Sequence, residues 1–122
     1  MLLVKCNARP SPIHGRGLFA SADIPKGTHL YRFEPWFDHK EPLGGQSKDM
    51  LHFGYVSTTD GMFIDCGDDA KWWNFGMPPN CAEIDEWING ERIVVAICHI
   101  PSGTELLIDT NTDLDSSRKL ML

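Results

Sequence analysis

Two short stretches carry residue types and spacings that could do chemistry. The first is Ile13-His14-Gly15-Arg16-Gly17-Leu18, with two glycines one residue apart ahead of an apolar pair, Leu18-Phe19. A G-x-G of this kind brings backbone N–H groups close to a bound group, or simply makes a tight turn. It is not a dinucleotide fingerprint, because no helix pattern follows and no third glycine is correctly spaced. The second stretch is Lys71-Trp72-Trp73-Asn74-Phe75-Gly76-Met77-Pro78-Pro79-Asn80-Cys81. Asn74 and Asn80 are polar groups in an apolar, proline-constrained segment, and buried amides need partners. Asn74 therefore either faces a ligand or satisfies neighbouring loop backbone.

Other reactive side chains are dispersed. Cys6, Cys66, Cys81 and Cys98 show no C-x-x-C pairing, which fits an intracellular protein with reduced thiols. His14, His29, His39, His52 and His99 lie far apart, and no metal site is expected from their spacing.

These stretches must be positioned by a mainly β chain, since no long segment sustains a 3.6-residue apolar period. Strands are expected at 2–5, 18–21 and 29–37, the last interrupted at Pro35, with a turn over 7–12 around Pro10 and Pro12. Residues 38–49 read as a polar surface loop. Asp60-Gly61 between 51–56 and 62–66 signals a hairpin, and Asn89-Gly90 between 83–88 and 92–97 signals a stronger one. A further strand is expected over 105–109. The sequence also echoes itself. Ala20, Ile24, Pro25, Gly27, Thr28 and Leu30 match Ala96, Ile100, Pro101, Gly103, Thr104 and Leu106 at one constant offset. What lies between is expected to be held by this pair.

A chain of 122 residues supports one core. The net charge of -6 argues against a nucleic-acid grip, which needs a basic stripe, and suits a basic partner. Glu83, Asp85, Glu86 and Glu91 either steer such a partner or form a solvated hairpin face. Lys5 ends the apolar Met1–Val4 run too soon for a signal peptide, and no run reaches membrane-spanning length.

Three blocks in order resemble the SET-domain family of protein-lysine methyltransferases. Ile13 to Ala20 followed by Ile24-Pro25-Lys26-Gly27 resembles the opening motif. Asn74 to Cys81 is similar to N-H-S-C-x-P-N-C, and Ala96 to Asp109 to A-x-x-x-I-x-x-G-E-E-L-x-x-D. The length resembles minimal viral and bacterial members, without a pre-SET or zinc-binding post-SET module. The resemblance implies a pseudo-knotted set of small β-sheets with short helical turns over 1–110, and a short tail over 111–122. It implies S-adenosylmethionine as methyl donor and a protein lysine as acceptor, entering a narrow channel from the opposite face. By position, Arg16, Gly17 and Leu18 would offer backbone contacts to the cofactor, with Asn74 and Phe75 at its amino-acid or adenine end.

The pattern departs at its catalytic end. The tyrosine that closes the family's last block is absent at Ile108-Asp109-Thr110, and His and Ser of N-H-S are Phe75 and Gly76. Tyr31 and Tyr55 are the chain's two tyrosines. The resemblance assigns Tyr55 to the lysine channel, with Thr110 at the missing tyrosine's place and Trp72 or Trp73 nearby. If active, the protein is expected to be a SET-type protein-lysine N-methyltransferase. The alternative is a catalytically silent SET-like module that binds a peptide or protein. The apolar end Leu120-Met121-Leu122 could dock on the core or on a second subunit.

Overall fold

The computed structural model of the protein describes residues 1–47, 50 and 54–108. Among the described residues the named elements run in the order β1 (Cys6–Pro10), β2 (Arg16–Ala20), β3 (His29–Tyr31), β4 (His39–Glu41), β5 (Gly54–Val56), β6 (Phe63–Asp65), the 3-10 turn η1 (Asp69–Trp72), β7 (Asn74–Phe75), β8 (Cys81–Ile88), β9 (Glu91–Ala96) and β10 (Leu107–Ile108). They form three sheets: β1-β2, β4-β6-β5, and a five-stranded sheet ordered β3-β9-β8-β10-β7. The mainly β expectation holds.

Both hairpins fall where their turn residues place them. Asn89 and Gly90 take positive φ, 56° and 80°, the backbone that joins β8 to β9 with matching twist. β5 and β6 flank the Asp60-Gly61 turn and pair Val56 with Phe63. Three expectations fail. Leu2 makes only an isolated bridge, to Tyr31, and the first strand lies instead at Cys6–Pro10. Pro10 is tolerated there because β1 is an edge strand pairing only with β2, and Pro10 sits at its last position. The strand over 29–37 stops at Tyr31. Beyond it Phe37 and Asp38 N–H groups donate back to the Glu34 carbonyl, closing a turn around Pro35. The loop over 38–49 contains β4, which pairs His39–Glu41 with Phe63–Asp65.

The echoed units meet face to face. Ile24 and Ile100 exchange both backbone hydrogen bonds at 2.8 Å. Around them the bonds repeat in pairs. Ala20 N–H donates to Thr104 C=O and Ala96 N–H to Thr28 C=O, while Gly103 N–H donates to Ala20 C=O and Gly27 N–H to Ala96 C=O. Gly27 and Gly103 share φ near +87° and +86°, a conformation that costs glycine little. The echo is thus a local pseudo-two-fold. Ile24, Ile100, Leu30 and Leu106 are all buried in the one core, with Leu18, Ala20, Ala96 and Ile108.

Candidate functional site

β7 is the wall between two working surfaces. Its side chains alternate, so Asn74 faces one way while Trp73 and Phe75 face the other. β10 runs parallel beside it, pairing Leu107 with Asn74 and Ile108 with Phe75.

On the first side stands the glycine turn. The Asn74 amide nitrogen donates to His14 C=O at 3.0 Å, Arg16 C=O at 3.0 Å and the Glu105 carboxylate at 2.8 Å. Ser11 Oγ donates to the same carboxylate. Gly17 must be glycine here: a Cβ would overlap the Glu105 carboxylate and lie 2.9 Å from Ser11 Cβ. The loop-satisfying reading of Asn74 therefore accounts for its donor side. Its acceptor, Oδ1, makes no hydrogen bond among the described residues. Leu18 is sealed in the core, and its carbonyl accepts from Leu106 N–H. The Arg16 guanidinium lies over the Trp72 ring, 5.6 Å from its centroid, and donates to Ala8 C=O. Asn80 is satisfied on both sides, donating to Glu105 C=O and accepting from Leu107 N–H, each at 2.8 Å. Glu105 is the residue the sequence reading missed on this side. Its acidic position in the third block was visible, but not its contact with Asn74.

On the second side is an aromatic pocket between the three-stranded and five-stranded sheets. Gly54 and Tyr55 line it from β5, Trp73 and Phe75 from the β7 segment, Glu83 and Arg92 from the β8-β9 hairpin. Tyr31, Cys66, Val94 and Ile108 close its base. Tyr55 is thus brought to the pocket, as is Trp73 but not Trp72. Thr110 lies outside the described residues. Tyr31, which sequence reasoning left without a role, meets Tyr55 hydroxyl to hydroxyl at 3.4 Å. Its ring packs edge-on against Tyr55 at 6.0 Å and Trp73 at 6.3 Å between centroids. Burial, foremost, raises the Tyr31 phenol well above its ordinary pKa, helped by the neighbouring Cys66 and Tyr55. Burial likewise pushes the Cys66 thiol up to about 12. The base of the pocket is therefore neutral across the physiological range.

The sheets are fastened together beside the pocket. Glu91, expected from sequence either to steer a basic partner or to sit on a solvated hairpin face, is instead buried and accepts from Ser57 Oγ at 2.7 Å and Lys40 Nζ at 2.7 Å. Lys40 also reaches Asp60 at 2.6 Å. Thr58 Oγ1 donates to Glu83 at 3.1 Å. Among the described residues, no three His, Cys, Asp or Glu side chains gather as metal ligands.

The SET-domain family model matches residues 15–109. The chain belongs to the SET-domain family. This SET domain is 32% identical over 111 residues to the H3 lysine-36-specific histone-lysine N-methyltransferase of Schizosaccharomyces pombe, covering 81% of the chain and 14% of that much longer protein. Its fold is similar to a Plasmodium falciparum protein assigned as a histone methyltransferase, with a TM-score of 0.68 at 17% identity over 92% of this chain and 97% of that one. It is also similar to the methyltransferase domain of human PR domain-containing protein 2, with a TM-score of 0.58 at 18% identity over 92% and 81% of the two chains.

Proposed function

We propose that this SET domain transfers a methyl group from S-adenosylmethionine to the side-chain amine of a lysine in a basic protein. The observation that carries the reading is β7. Neighbouring residues on one strand face the glycine turn and the aromatic pocket, so a donor site and an acceptor site would adjoin across a single strand. Methyl transfer needs that arrangement, because donor and acceptor must align within near-attack distance with water excluded.

The residues present fit the cofactor. Three bonds to its nitrogen fix the Asn74 amide, which leaves Oδ1 as a preorganised acceptor for an ammonium group. Arg16 over Trp72 offers a flat cationic and aromatic surface beside the turn for the adenine end. When bound, S-adenosylmethionine would supply an electrophilic methyl group, which a neutral lysine amine would take through its lone pair. Phe75, Trp73 and Ile108 exclude water from the acceptor side. Tyr55 Oη accepts from the amine N–H and orients it. Glu83 lies in the lining with Lys71 and Arg92, and the exposed Asp85 and Glu86 beyond it, in a chain of net charge -6, favour the approach of a basic protein.

Titration calorimetry with S-adenosylmethionine tests this reading. One molecule is expected to bind per chain, with affinity reduced at least tenfold by Trp72→Ala. Absence of binding by the wild type refutes it.

A further inference from the structure

Glu105 brings a partly buried carboxylate to the glycine-turn side of β7. It lies directly against the turn, where a Cβ on Gly17 would overlap it. Its side-chain partners there are neutral donors. Asn74 Nδ2 donates to it at 2.8 Å. Ser11 Oγ accepts from the N–H groups of Ile13 and His14, which leaves its own proton for Glu105 at 2.7 Å. Both contacts suit a carboxylate, which only accepts. Among the described residues no ion pair includes Glu105. The arginines flanking the turn are directed elsewhere. Arg9 lies over Phe19 and donates to Gly103 C=O, while Arg16 lies over Trp72 and donates to Ala8 C=O. The turn therefore carries a negative field that these neighbours do not cancel.

We propose that Glu105 is a specificity-determining residue: its charge favours S-adenosylmethionine over the S-adenosylhomocysteine left after transfer. This rests on the methyl-transfer reading above and deepens its cofactor side. The donor carries a sulfonium beside its ammonium and carboxylate, and is a net cation. The spent thioether lacks that charge and is net neutral. The two molecules otherwise differ by one methyl group, so shape alone separates them poorly. A fixed carboxylate in a partly buried site acts on the charge difference with little screening. Its bond to Nδ2 also turns Asn74 Oδ1 outward, and a charged acceptor strengthens such a bond. The ammonium, common to both ligands, gains from Asn74. The sulfonium alone gains the remainder.

Titration calorimetry with both ligands separates charge from shape. Glu105→Gln keeps the outline of the side chain and removes its charge. The ratio of the Kd for S-adenosylhomocysteine to the Kd for S-adenosylmethionine is then expected to fall about threefold or more. Glu105→Asp keeps the charge, and its ratio is expected to stay nearer the wild type even where both affinities drop. Ser11→Ala covers the case in which Glu105→Gln folds poorly. It removes a donor that tempers the carboxylate, so the ratio is expected to hold or rise. A smaller fall in Glu105→Gln overturns the proposal, since a purely structural role would weaken both ligands alike. So does a fall in Glu105→Asp as large as that in Glu105→Gln, or any fall in Ser11→Ala. A wild type that does not bind S-adenosylmethionine instead refutes the methyl-transfer reading, and this role for Glu105 goes with it.

Discussion

Asn74 shows how one side chain serves both frame and site. Its nitrogen binds two carbonyls of the glycine turn and the Glu105 carboxylate, so the turn's shape depends on the neighbouring strands. Gly17→Ala would force a methyl group into Glu105 and Ser11, and overpacking of that kind costs about 1–3 kcal/mol. Denaturant titration is expected to show a loss in this range together with weaker cofactor binding. A neutral result would mean that the turn is not held as described. The thiols give a second test at this scale. Cys98 is exposed, whereas Cys66 and Cys81 are buried and their pKa values are raised chiefly by that burial. Iodoacetamide at pH 8 should alkylate Cys98 first and leave Cys66 and Cys81 unmodified until the protein unfolds, as peptide mass spectrometry would show. Residues of the motif blocks, Asn74 and Gly17 among them, were legible in the sequence because each carries a local signature. Tyr31 and Glu91 were not. A lone tyrosine in a short strand and a glutamate after a turn gain their roles only from partners 24 and 34 residues away, Tyr55 and Ser57.

Among the elements, the echoed units were legible as a repeat but not as a two-fold pairing. Repetition of A-x-x-x-I-P-x-G-T-x-L gives no direction, and only the reciprocal Ile24–Ile100 bonds show the units antiparallel. Because both isoleucines are buried in matched surroundings, Ile24→Ala and Ile100→Ala should cost similar amounts, each about 2–5 kcal/mol. As contacting residues they should combine non-additively in the double variant. Thermal or denaturant unfolding would check this, and strongly unequal costs would contradict the pairing. The first strand was misplaced because proline was given more weight than its edge position warrants. β4 went unread because polar His39-Lys40-Glu41 lacks alternation, and its partner Phe63–Asp65 supplies the pairing.

Lys40 makes the fastening of those elements dependent on pH. Its hydrogen bond lowers the Asp60 pKa below the ordinary 3.8. The Lys40 pKa is raised above 10.5, because bonds to Asp60 and Glu91 outweigh the larger single effect of desolvation, which acts the other way. A depressed acid contributes stability above its unfolded pKa and loses it as pH falls through the folded value. A raised amine contributes below its unfolded pKa and loses it as pH rises through the folded value. The stability difference between wild type and Lys40→Met should therefore be greatest between about pH 5 and 10 and shrink on both sides. A difference that does not change with pH would contradict the described contacts.

At the scale of the whole molecule, two sheets and the β7 segment enclose an aromatic pocket within a chain of net charge -6. Lysine-rich peptides should bind more weakly as salt rises, with KM increasing severalfold between about 0.05 and 0.3 M ionic strength. The family was legible in the order of three motif blocks, and the family match over residues 15–109 agrees with it. The pocket was not, since its walls come from β5, β7, β8, β9 and β10 and meet only through tertiary pairing. The most direct test of the account is transfer of labelled methyl from S-adenosylmethionine to a library of lysine-rich proteins and peptides, run beside a working lysine methyltransferase. The account predicts label on a lysine side chain with the wild type and at least a tenfold lower rate with Tyr55→Phe. Binding of S-adenosylmethionine with no transfer to any acceptor would contradict it, and would leave a SET fold that binds without catalysing.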